Sequence, residues 1–213
     1  MKTLPIALVC MSLLLTGCLD SLSGSSSKKL GDGHDFGDNN SDLVLCMGDS
    51  ITAGGFSGGA PWPARFGGMS GKSTINDGIV GAISSVGATR IGSLLAERKP
   101  GYVIILYGAN DAITGRNPAD TGAAIRSMVQ AAKNASTIPV VATTPPMSGI
   151  RSIYNDNVDA INREIRRAAG AEGARVVDIH GAIRRSPDLY LIDGLHLSTL
   201  GEELVALEFN DLF

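Results

Sequence analysis

Apolar residues along this chain gather into short continuous runs that alternate with stretches of helical periodicity. Residues 43–47, 102–107, 138–142 and 175–179 are compact runs rich in Val, Ile and Leu, and a weaker one covers 73–76. Runs of this length read as buried strands. Between them, Val86, Ile91, Leu94 and Leu95 fit one face of a helix, and Ile125, Met128, Val129 and Ala132 fit the face of a second. Val158, Ile161, Ile165 and Ala168 fit a third, whose solvated side carries Arg163, Glu164, Arg166 and Arg167. Thr199-x-x-Glu202 predicts a capping box that opens a last helix. Strands that alternate with helices imply a parallel sheet with helices on both faces, because each parallel crossover needs a connection of helix length. Ligands of such α/β folds sit outside the carboxyl ends of the strands.

Three of the predicted strands end in polar segments with chemical potential. The run Leu45-Cys46-Met47 stops at Gly48-Asp49-Ser50, Asn76-Asp77-Gly78 follows the weaker strand, and Gly108-Ala109-Asn110-Asp111 follows the third. Gly, Asp and Ser are also ordinary turn residues, so Gly48-Asp49-Ser50 alone carries either reading. A serine hydroxyl is a weak nucleophile unless a neighbouring base takes its proton, and imidazole suits that task near neutral pH. The chain has three histidines. His34 falls in a polar stretch and His180 has no carboxylate three residues before it, so both read as solvated or structural. His196 follows Asp193 by three residues, a spacing at which side chains can meet. The expected roles are Ser50 as nucleophile, His196 as general base and then acid, and Asp193 as the group that orients the imidazole. Cys46 is the rival nucleophile, but it lies inside a strand, where a small buried hydrophobe is the usual role.

Ser50, Gly78, Asn110 and His196, in this order and context, resemble the four blocks of the SGNH (GDSL) hydrolase family over roughly residues 42–213. Ala60-Pro61-Trp62-Pro63-Ala64, Tyr154-Asn155 and Asp193-Gly194-Leu195-His196 are similar to segments of its bacterial periplasmic esterases, of the thioesterase I and lysophospholipase L1 type. Ile51-Thr52 and Leu197 depart from the usual pattern at positions that carry no reacting group. The resemblance implies a flavodoxin-like three-layer α/β/α sandwich of about five parallel strands in the order 2-1-3-4-5. It also implies an oxyanion hole made of the Ser50 and Gly78 main-chain N–H groups and the Asn110 amide. Asp49 and Asp111 are expected to organise loops, and no cofactor is implied. The arrangement differs from the α/β-hydrolase elbow, since Thr52 stands where G-x-S-x-G requires its second glycine.

The N-terminus predicts export. Lys2 precedes an apolar run from Leu4 to Leu15, too short to span a bilayer, so residues 1–17 read as a signal peptide. Leu15-Thr16-Gly17-Cys18 resembles a bacterial lipobox, with Cys18 as the lipidated residue. Several acyl chains on one Cys give a stable membrane anchor. Residues 18–42, rich in Ser, Gly, Asp and Asn, are expected to be the anchor and a flexible linker, with the catalytic domain at 43–213. The implied location is the bacterial envelope, with Leu19 pointing to the outer membrane by analogy with other lipoproteins. Asp32, Asp35, Asp38 and Asp42 lack EF-hand spacing, and no residue set resembles a zinc site, so no metal is expected.

With 213 residues and a net charge of −3, the chain has room for one domain and lacks the basic footprint of a nucleic-acid binder. The expected partner is a small ester or lipid substrate. Loops 52–70, 112–118 and 144–152 are expected to wall the cleft, with Trp62, Met69, Met147, Ile150 and Ile153 as apolar surface and Arg116 and Arg151 as charge. Two function classes remain. One is a lipid-anchored serine esterase of lysophospholipase, thioesterase or arylesterase type, with polysaccharide O-deacetylation as its variant; the other is a non-catalytic envelope lipoprotein that binds carbohydrate.

Overall fold

The structure is a computed structural model that describes residues 29–184 and 186–213. The expected signal peptide, Cys18 and the linker up to residue 28 lie outside the described residues.

Five strands form one parallel sheet: β1 (Asn40–Gly48), β2 (Ser73–Gly78), β3 (Pro100–Leu106), β4 (Ile138–Ala142) and β5 (Arg175–Val177). Their order is β2-β1-β3-β4-β5, as the family resemblance implies. Among the described residues, eight α-helices connect and cover them: α1 (Ser50–Ala53), α2 (Trp62–Ser70), α3 (Ser84–Arg98), α4 (Ala109–Ile113), α5 (Pro118–Asn134), α6 (Asn155–Glu172), α7 (Ile179–Ile183) and α8 (Thr199–Asn210). Helices α3, α5 and α6 pack side by side on one face, and α2, α8 and α7 pack together on the other. The central strands β1 and β3 are buried on both sides, with Val44 to Met47 and Val103 to Leu106 almost wholly inaccessible. Burial on two faces explains why their sequences are continuous apolar runs rather than alternating ones.

Register fixes where the chemistry lies. Gly48 pairs with Gly78 on one side and with Leu106 on the other, so β1, β2 and β3 end at one level. The turns that follow them project from a single edge.

Two local expectations are corrected. The polar stretch is not a free linker from residue 29 onward. Leu30 N–H donates to Leu212 O at 3.2 Å, the Tyr102 hydroxyl donates to Leu30 O at 3.2 Å, and the Asn39 amide donates to Ala135 O at 2.6 Å. Phe36 packs on Tyr102 with ring centroids 5.3 Å apart, and His34 Nε2 lies 3.2 Å from Ser136 O. A few apolar residues suffice here because they fill hollows on an existing core instead of building their own. The second correction concerns α8. Its N-cap is Ser198, whose hydroxyl accepts from Gly201 N–H, rather than Thr199.

Glu202 is therefore free for another task. Its buried carboxylate accepts the Trp62 N–H at 2.8 Å and so ties the start of α2 to α8. Burial pushes its pKa from 4.5 up to about 7, against the Trp62 N–H and the Arg65 charge, which pull it down. A carboxyl raised in the folded state keeps a proton that the unfolded chain has released, so this group's contribution to stability falls as pH rises from 4.5 to about 7. Glu202→Gln is expected to melt higher than the parent at about pH 8 and together with it at about pH 4, as read by thermal denaturation. Parallel melting curves at every pH would contradict this.

Candidate active site

The β1 strand delivers Ser50. Asp49 caps α1 by accepting the Ile51 N–H at 2.9 Å, which places Ser50 as the first helical residue directly beyond the strand. Its own N–H belongs to the first turn, where no intrahelical acceptor exists. Burial raises Asp49 to about 7, with the Asp111 charge adding to it and hydrogen bonds from Ile51 and Ala109 N–H opposing it. Asp111 is wholly buried and accepts Ser84 N–H at 2.9 Å, Ser84 Oγ at 2.6 Å and Thr121 Oγ1 at 2.9 Å. Both carboxyls brace the site's loops, the part expected of them.

Asp193 and His196 lie in a turn, not on a helix. Gly194, at φ +66°, reverses the chain, and its N–H donates to Leu191 O at 2.9 Å. Asp193 Oδ1 accepts the N–H groups of Leu195 and His196, each at 3.0 Å, while Oδ2 accepts His196 Nδ1–H at 2.5 Å. Ser50 Oγ then lies 3.0 Å from His196 Nε2. A carboxylate on Nδ1 fixes the tautomer that leaves Nε2 with a lone pair toward the serine. Burial raises the Asp193 pKa, but the two N–H groups and the imidazole outweigh it and hold the carboxyl below its usual range. The turn is itself anchored: Arg151 Nε donates to Asp193 O at 3.0 Å, and Ser148 N–H donates to Gly194 O at 2.8 Å.

The two other expected groups fare differently. Gly78 does not have a free N–H for the role the resemblance gave it, since that N–H donates to Asn76 Oδ1 at 3.1 Å. A Cβ there would lie 2.2 Å from Ala53 N, so close packing of α1 on β2 accounts for the glycine. Three residues on, Gly81 adopts φ +78° in open space. Asn110 reaches this turn, because its amide donates to Ala82 O at 3.0 Å and retains a second N–H. Gly81 was missed because a lone glycine past a strand's end carries no pattern of its own.

The expected cleft walls divide. Trp62 is fully buried, tilted against Phe209 with ring centroids 4.7 Å apart, and Met147 is buried as well. Both are core residues. Met69 lies beside Ser70 and Lys72, near the amino ends of the strands where Lys72 Nζ donates to Ser41 O. Ile150 and Ile153 are exposed, on the short helix Gly149–Tyr154 that holds Arg151 against Asp193. Ile192, next to Asp193, is fully exposed, and Phe56 lies over His196. Neither was anticipated as a lining residue.

A parallel α/β/α sandwich with a Ser-His-Asp hydrogen-bonded relay at its strand ends defines a class of hydrolases, and the comparisons with known proteins agree. Residues 46–204 match the GDSL-like Lipase/Acylhydrolase family, and the chain belongs to that family. Thioesterase 1/protease 1/lysophospholipase L1 of Escherichia coli is 32% identical over 123 residues, 56% of this chain and 59% of that protein. The matched stretch thus spans less than two thirds of that relative's length. Among solved structures, a lipase/acylhydrolase from Enterococcus faecalis superposes with a TM-score of 0.68 at 23% identity, over 79% of this chain and 93% of its own. An acetylxylan esterase from Geobacillus stearothermophilus does so with a TM-score of 0.67 at 21% identity, over 80% and 93%. At such identities the likeness is one of fold.

Proposed function

We propose that this protein is a serine esterase that hydrolyses carboxylic esters through an acyl-enzyme on Ser50. The observation that carries the reading is the continuous relay from Ser50 Oγ through His196 to Asp193, at 3.0 and 2.5 Å. In this reading Ser50 Oγ attacks the ester carbonyl carbon while its proton passes to Nε2 of His196. The imidazolium is stabilised by Asp193, which stays ionised. The carbonyl oxygen becomes negative and is met by the N–H groups of Ser50 and Gly81 and the second amide N–H of Asn110, with Gly81 replacing Gly78 as donor. Collapse breaks the bond to the alcohol, which leaves with the proton from His196; water then repeats the sequence and frees the acid.

Short to medium acyl esters are the proposed substrates, with lysophospholipid as the natural class. The exposed apolar side chains of Ile150, Ile153 and Ile192, on the two segments that meet where Arg151 binds Asp193, support this. So does the name of the Escherichia coli relative, and an anchor on Cys18 would keep the domain beside lipid. Each methylene that enters an apolar groove raises kcat/KM by up to roughly fourfold, so efficiency is expected to climb with acyl length until the groove ends. The check is a p-nitrophenyl ester series against lysophosphatidylcholine and acetylated xylan, with the Ser50→Ala protein as blank. A profile that peaks at acetate, with acetate released from xylan, would favour polysaccharide deacetylation, the activity named for the Geobacillus structure. No hydrolysis above the blank would favour the binding lipoprotein.

A further inference from the structure

Between α1 and α2 the chain runs Gly54-Gly55-Phe56-Ser57-Gly58-Gly59-Ala60-Pro61. Gly54, Gly55 and Gly58 hold φ values of +61°, +83° and +75°, a region that only glycine enters at little cost. With four glycines the segment has few side chains to pack, and it is fastened chiefly at its ends. Gly54 N–H donates to Ser50 O at 2.9 Å, Arg65 Nε donates to Ala60 O at 2.7 Å, and Trp62 N–H donates to Glu202 at 2.8 Å.

Phe56 is the only large apolar side chain in this loop, and it does not turn into the core. Its ring lies on the His196 imidazole, with centroids 4.0 Å apart and 22° between planes, and remains 44% exposed. The imidazole face is the aromatic surface that this ring meets. The edges of that imidazole are already engaged, Nδ1 by Asp193 and Nε2 by Ser50. Those two hydrogen bonds engage the ring at its edge and leave it freedom to tilt. Contact on its face removes that freedom, and an aromatic face also attracts the positive charge that imidazole acquires when it takes the serine proton.

We infer that Phe56 is a positioning residue for His196, a face clamp carried on a glycine-hinged loop that holds the imidazole in the plane joining Asp193 to Ser50. The inference rests on the esterase reading above. Its effect falls on the step in which the imidazolium forms, so kcat should respond and KM should not. In the full-length protein, with p-nitrophenyl butyrate as substrate and the Ser50→Ala protein as blank, Phe56→Leu is expected to lower kcat about three- to tenfold. KM should stay within about twofold, and Phe56→Tyr, which keeps the ring, should restore kcat to near the parent value. Carbon-edited proton NMR adds a signature: the His196 ring protons should be shifted upfield by the phenyl ring current in the parent and in Phe56→Tyr, and lose that shift in Phe56→Leu. An unchanged kcat in Phe56→Leu, a change confined to KM, or unshifted His196 ring protons in the parent would overturn the inference. Hydrolysis by the parent no faster than the blank would overturn the esterase reading and this inference with it. That failure is distinguished from the others by the inactive parent.

Discussion

Replacing Ser50 or His196 with Ala is expected to lower kcat by roughly 10⁶-fold in each case, with the fold intact. Ser50 Oγ and His196 Nε2 are 3.0 Å apart, so each group is idle without the other: an alkoxide does not form without the base, and the base has no proton to move without the serine. The losses are therefore not additive. The double substitution should be no slower than about the worse single one, and steady-state hydrolysis of a p-nitrophenyl ester measures it. A double variant that loses the product of the two single effects would mean that the residues act separately. Thermal denaturation guards against the trivial explanation of misfolding, which neither change invites because both side chains border the open end of the sheet.

Asp193→Asn should cost less, roughly 10⁴-fold in kcat, and for a reason visible in the turn. Asp193 Oδ1 accepts two main-chain N–H groups and Oδ2 accepts His196 Nδ1–H. An asparagine would keep its carbonyl oxygen on the main-chain donors and turn its NH₂ toward Nδ1. Nδ1 must then accept, the ring proton moves to Nε2, and the lone pair that should receive the serine proton is gone. Little change in KM is expected, since Asp193 bonds to the imidazole and to the main chain of its own turn. An Asp193→Asn enzyme of near-parent turnover would contradict the orienting role.

The fold was legible because both of its signals are long. Buried strands such as 43–47 and 102–107 and three helices with clear 3.6-residue periodicity leave few topologies, and the family resemblance supplied the strand order. The segment from residue 29 to the start of β1 was misread because composition measures whether a stretch can build a core, and Leu30 and Phe36 instead lean on one built by others. Trp62 and Met147 were assigned to the cleft because they fall in loops or at loop ends. Burial of such residues depends on what α8 and the sheet present to them, which no local window contains. The candidate reacting groups, by contrast, were legible because chemistry restricts them: of three histidines, His196 is the one that follows a carboxylate by three residues. The proposed oxyanion donors were less so. Main-chain N–H groups carry no side-chain signature, and only the structure distinguishes Gly78, whose N–H is bonded to Asn76, from Gly81 beside Asn110. Phe56 went unremarked because nothing in Gly-Gly-Phe-Ser-Gly-Gly says which surface its ring will meet.

The most direct test of the central claim, that Ser50 is a nucleophile activated by the His196–Asp193 pair, is covalent capture by a fluorophosphonate ester followed by peptide mass spectrometry. Displacement of fluoride by Ser50 Oγ should add one phosphonyl group per chain, on the peptide that contains Ser50, with concomitant loss of ester hydrolysis. His196→Ala should label at least about a hundredfold more slowly, because the hydroxyl has lost its base. Labelling on another residue, or labelling of Ser50 at the same rate with and without His196, would contradict it.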